Sequence, residues 1–137
     1  MTGVRLSAVD IAAATLAAAA GFLVWELAPS LTGQPLPWDA PWPFYSLVMG
    51  TAGFAIGQFS RGVWLCIAAA WAGQVVALIV LPLDRSANML GVGAWWVLGI
   101  LATGVGSLIL WIGWALARLW RRKLAERKRA GGGAPDR

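Results

Sequence analysis

The sequence predicts an all-α membrane protein, a compact antiparallel four-helix transmembrane bundle with both termini cytoplasmic. Three observations predict it. Of 137 residues, 59% are hydrophobic and only 12% charged, too little polar surface to solvate a water-soluble domain of this length. The apolar residues gather into four segments, each near or above the ~17–25 residues that cross a bilayer core as a helix. Under that four-span layout ten of the 11 Lys and Arg residues fall on one side, leaving only Arg85 on the other. Such a bias places the basic side in the cytoplasm.

The first span runs from about Ser7 to Ala28 and is rich in alanine between Ala12 and Ala20. It reads as a retained span rather than a cleaved signal, because Asp10 interrupts the apolar run and hydrophobicity continues through Trp25. Residues 29–43 contain Pro29, Pro35, Pro37, Pro41 and Pro43, which cannot sustain helical hydrogen bonding, so this stretch reads as an exterior loop. The second span covers 44–60. The Ser60-Arg61-Gly62 turn leads at once into the third, 63–81, so these two are expected to form an antiparallel hairpin. Residues 82–88 make the last turn. The fourth span, about 90–117, continues as a basic helical extension to Arg129, and residues 130–137 read as a disordered tail. The whole of 1–129 is one transmembrane domain.

Small residues recur on these segments at helical spacing. Ser46, Gly50, Gly53, Gly57 and Ser60 follow a 4-3-4-3 rhythm, and Cys66, Ala70, Gly73 and Ala77 repeat it. Gly99, Gly106 and Gly113 stand seven apart, with Thr103 between the first two. In a bilayer, burying apolar area does not drive helix association, whereas close backbone approach does. These stripes are therefore expected to be helix-packing seams, with near-parallel crossings.

Several chemistries are excluded within the chain. There is no His, and the single Cys66 can form no intrachain disulfide or CxxC pair. Both lysines, Lys123 and Lys128, lie in the basic extension, so none is available within a span for a Schiff base. No phosphate-binding loop, nucleophile elbow or zinc-protease motif occurs. No catalytic residue, metal site or cofactor is expected, and the charge carries no nucleic-acid motif with it.

The remaining polar groups are few. Glu26, Gln58, Gln74 and Thr51 are the candidate lining of a polar path, since polar groups at membrane depth must find partners or serve a solute. Arg61, Arg118, Arg121, Arg122 and Lys123 are placed to meet lipid headgroups, with anionic lipid favoured at the cytoplasmic face. The ten Trp residues sort largely toward two interfacial belts, Trp71 alone falling at mid-depth. Trp38, Trp42 and Tyr45 cluster as a candidate contact on the exterior loop. Abundant packing signal with few reactive side chains points to a structural or accessory subunit of an inner-membrane complex, packing on other membrane proteins or on a second copy. The alternative is a small oligomeric transporter or channel with a polar path near Glu26 and Gln74.

Overall fold

Helix α1 spans Ala8–Thr32 in the computed structural model, which describes residues 7–34, 36–37, 39–40, 43–60, 62–81 and 91–131, with the backbone alone at 91–96, 98, 130 and 131. Its start is fixed by a capping box. Ser7 Oγ accepts the Asp10 amide at 3.1 Å, and the Asp10 carboxylate accepts the Ser7 amide at 3.3 Å. Pro29, expected to open the loop, lies inside the helix instead. It falls in the last turn, where little of the ladder remains to be disrupted. The chain then stops at Gly33, whose φ of 71° allows its amide to reach the Pro29 carbonyl at 3.1 Å.

Helix α2 covers Phe44–Gly57, α3 Val63–Val80 and α4 Gly91–Gly131. These bounds follow the apolar segments, except that α1 runs four residues past Ala28, α2 ends three residues before Ser60 and α4 runs to Gly131. Residues 132–137 of the expected tail, the 82–88 turn and Arg61 lie outside the described residues. Three helices, α1, α3 and residues 99–129 of α4, are long and apolar enough to cross a membrane, whereas α2 is a shorter apolar helix. Its 14 residues span about 21 Å, less than the ~30 Å hydrocarbon core.

The outward surface carries the large apolar side chains, among them Leu16, Leu31, Trp64, Ile79, Leu101 and Leu116, all exposed. The interior holds alanine, glycine and a few polar groups around Val24, Trp25, Met49, Ile56, Leu78 and Leu110. This inverts the distribution of a water-soluble bundle.

The helices do not pair as the sequence suggested. Although α2 and α3 are joined by a short turn, they barely touch; α1 packs most extensively on α3, and α2 on α4. Within each pair the contacts advance in the same direction. Asp10 approaches Gly62, Ala18 meets Gly73 and Gly21 meets Ala70 and Gln74. In the second pair, Tyr45 meets Gly106, Gly53 meets Leu110 and Gly57 meets Trp114 and Ala117. The second and third segments, expected to form a hairpin, are joined by a short turn, but their main packing is on α4 and α1, in two parallel pairs.

The physical reason is where the small residues sit. At Gly53 an added Cβ would collide with the Leu110 carbonyl oxygen, and at Gly73 with that of Ala18. At Gly57 it would stand 2.7 Å from the Ala117 Cβ. Backbones come this close only where side chains are absent. The four helices form a ring in the order α1, α3, α4, α2, leaving α2 and α3 diagonally opposed.

Candidate functional site

Where α2, α3 and α4 converge, the fold encloses four polar side chains. Gln74, Thr103 and Ser107 are buried, and Tyr45 is 7% exposed. The Tyr45 hydroxyl donates to the Gln74 amide oxygen and also lies 3.0 Å from the Ala102 carbonyl oxygen. The Gln74 amide nitrogen donates to the carbonyls of Thr103, at 3.2 Å, and Ala70, at 3.4 Å. Thr103 Oγ1 donates to Ile100 O at 2.7 Å, and Ser107 Oγ to Thr103 O at 3.1 Å.

Each Gln74 donor and its acceptor oxygen therefore has a partner within the protein. Gly106 makes the junction possible, since a Cβ there would overlap the Tyr45 hydroxyl. α1 closes the fourth side, with Gly21 against Ala70 and the Gln74 Cγ. Chemically the arrangement is a tie between helices. An amide and a phenol that satisfy one another present no free group to a substrate.

Sequence placed Tyr45 with Trp38 and Trp42 on the exterior loop. Tyr45 lies in the first turn of α2, as the 44–60 span has it, but is buried against Gln74, while Trp38 and Trp42 lie outside the described residues. Thr103 and Ser107 join this site without a motif of their own. Their signal was available in the four-residue spacing that puts both on one face of α4.

The candidate polar path does not assemble. Gln74 is central. Glu26 is exposed on a shallow outer groove between α1 and α3, beside Phe22, Leu23 and Val76. Thr51 faces outward, its hydroxyl turned back to the Val48 carbonyl at 3.1 Å and to that of Leu47 at 2.6 Å. Gln58 ends α2, and its backbone carbonyl receives the Arg121 guanidinium.

Of the small-residue stripe, Gly53, Gly57, Ser60, Ala70, Gly73, Ala77, Gly99, Gly106 and Gly113 are buried. Ser46 is exposed and Gly50 only half-buried; both border an open groove between α2 and α4. Ser60 sits in a small cluster with Cys66, whose thiol donates to the Gly62 carbonyl at 3.3 Å.

The tryptophans divide unexpectedly. Trp25, assigned to an interfacial belt, is wholly buried in the core, whereas Trp64 is 78% exposed. Trp71, at mid-depth, is exposed and lines a groove between α3 and α4 together with Trp64.

On the cytoplasmic side of the prediction, Arg118, Arg121 and Arg122 line a hollow of about 250 Å³ on α4. The Arg118 guanidinium stands 5.4 Å from the centre of the Trp114 ring, a cation–π distance. Lys123 is exposed on the same helix. Among the described residues no group of His, Cys, Asp and Glu could hold a metal ion.

No protein-family model, curated protein or solved structure matches this chain.

Proposed function

We propose that the chain is a multipass inner-membrane protein that serves as a structural or accessory subunit of a membrane assembly and has no enzymatic activity of its own. The observation that carries this reading is the contrast between a self-satisfied polar interior and two outward grooves in which small residues interrupt the large apolar ones. One groove runs between α2 and α4 past Ser46, Gly50, Thr51 and Ala55. The other runs between α1 and α3 past Ala18, Ala19 and Ala72. Exposed large apolar side chains, Leu47, Phe54, Ile112 and Leu116 among them, flank the small residues. Small-residue grooves are where another membrane helix approaches closely. Purification in mild detergent followed by native mass spectrometry tests the reading. A stable complex with another membrane protein, or with further copies, is the expected result; a lone monomer under every condition overturns it.

The proposal carries a topology of four crossings with both termini cytoplasmic. α2 supplies only part of its crossing, since Tyr45 at its start stands level with Gln74 in α3 and Gly106 in α4. The described residues before it, 36–37 and 39–40, are placed to contribute to the crossing. Leu36 and Ala40 pack against the core and Pro37 is fully buried. Non-helical backbone at membrane depth is tolerated only when protein covers it. Pro37 suits that place, because it removes an amide that would otherwise need a partner. Single cysteines at Ala40 and Gly131, treated with an impermeant maleimide on intact cells, test this. Both should resist labelling until the membrane is breached; ready labelling of Gly131→Cys in intact cells overturns the orientation.

The transporter reading draws less support, since Glu26, Thr51, Gln58 and Gln74 occupy four separate places.

A further inference from the structure

The hollow between Arg118, Arg121 and Arg122 and the groove nearer the middle of α4 lie on the same face of that helix. Gly104, Ser107 and Leu108 line the groove against Trp64 and Trp71 of α3, and Arg118 and Arg122 line the hollow. Gly104 and Arg122 are eighteen residues apart, about five full turns, and Ser107 and Arg118 eleven, about three turns, so each pair shares an azimuth. Leu108 and Arg118 are separated by about 15 Å along the axis, half the ~30 Å hydrocarbon core and hence the depth of one leaflet.

The hollow is strongly cationic. The one carboxylate in this stretch, Glu126, does not line it. Two of the guanidinium groups are also pre-positioned, Arg118 over the Trp114 ring and Arg121 on the Gln58 carbonyl at the end of α2. Arg is suited to this task because its planar fork binds phosphate oxygens two at a time. The groove is apolar and has a volume of about 370 Å³.

We propose that this face holds one anionic glycerophospholipid, its phosphate between Arg118 and Arg122 and an acyl chain along the groove past Trp64 and Trp71. The proposal rests on the membrane reading above and adds a defined site to it. A headgroup merely attracted by the basic extension would be served equally by Arg127 and Arg129, which lie farther along α4. A lipid held as proposed depends on Arg118 and Arg122 and hardly on the other two.

The test uses the full chain in phosphatidylcholine nanodiscs, with and without a minority of phosphatidylglycerol, and native mass spectrometry of the retained lipid. Co-migration of the chain with the nanodiscs is read first; if it fails, the membrane reading falls, independently of the lipid site. For inserted protein, the wild type should retain phosphatidylglycerol in preference to phosphatidylcholine. The Arg118→Gln/Arg122→Gln pair should weaken retention about fivefold per arginine, the equivalent of ~1 kcal/mol for one cation at the membrane surface. Arg127→Gln/Arg129→Gln, with the same loss of charge, should leave retention within twofold of wild type. Equal loss in both pairs, or no preference in the wild type, overturns the proposal. So does displacement of the lipid by inorganic phosphate, which would mark a site for free anions.

Discussion

The phenolic hydroxyl of Tyr45 donates to the side-chain amide of Gln74, tying the first turn of α2 to the middle of α3. The same hydroxyl lies 3.0 Å from a carbonyl of α4, so one oxygen serves three helices. That economy matters between α2 and α3, which are otherwise scarcely in contact.

Breaking the tie should cost little singly and show coupling. Tyr45→Phe and Gln74→Leu are each expected to destabilise by ~1 kcal/mol, within the ~0.6–2 kcal/mol range of hydrogen bonds between membrane helices. The double variant should cost less than the sum, because both changes remove the same bond. Thermal unfolding in detergent, followed by near-ultraviolet circular dichroism, measures all three. Strict additivity would mean that the two side chains do not interact.

The glycines should separate sharply. Gly53→Ala and Gly113→Ala drive a methyl into the carbonyl oxygens of Leu110 and Gly50, and should destabilise by ~1–3 kcal/mol as overpacking does. Gly104→Ala meets nothing within 4 Å and should be neutral or stabilising by up to ~1 kcal/mol through helix propensity. The same melting assay reads the difference, and similar midpoints for Gly53→Ala and Gly104→Ala would refute it.

The seams show both how much the sequence discloses and where it stops. Four helices, their approximate bounds and the residues of the small stripe are all legible in it, because periodicity reports which face of a helix packs. Periodicity does not report against what. Gly53 and Gly57 announce a close neighbour without distinguishing α3, next along the chain, from α4, which is the true partner. Depth is hidden for a related reason. Tyr45 opens the second span just after four prolines and so reads as a contact of the exterior loop, yet its place is set by Gln74 and Gly106, residues far away in sequence. Trp25 packs in the core because the amphipathic indole suits the interface and the core alike, and only tertiary packing decides which of its faces is covered.

Capping offers a local test. Ser7→Ala removes the acceptor of the Asp10 amide and should lower stability by ~1 kcal/mol. Asp10→Asn retains a side-chain acceptor for the Ser7 amide and should cost less. Helix content and melting midpoint together check the ranking; Asp10→Asn being the more damaging would point to a role for its charge beyond the cap.

Cys66 is a built-in reporter. Its side chain is fully buried beside Ser60, and enclosed thiols react slowly. Alkylation by a maleimide should be slow in the folded protein and should accelerate in step with unfolding as temperature rises. Gly53→Ala should hasten it at a fixed temperature. Fast labelling of the native protein would contradict the packing of α3.

The pairing of α1 with α3 and of α2 with α4 also bears on the order of assembly. A chain emerges from the ribosome N-terminus first, so when α2 follows α1 out, its principal partner does not yet exist. α1 gains its close neighbour only with α3, and Gly53 and Gly57 stay uncovered until the last helix has been made. Each seam thus spans an intervening helix, and α2 in particular must wait with its glycine face open. A chain halted before α4 would leave that face as an adhesive surface for any passing membrane helix. α4 is therefore the clasp that covers the α2 glycines.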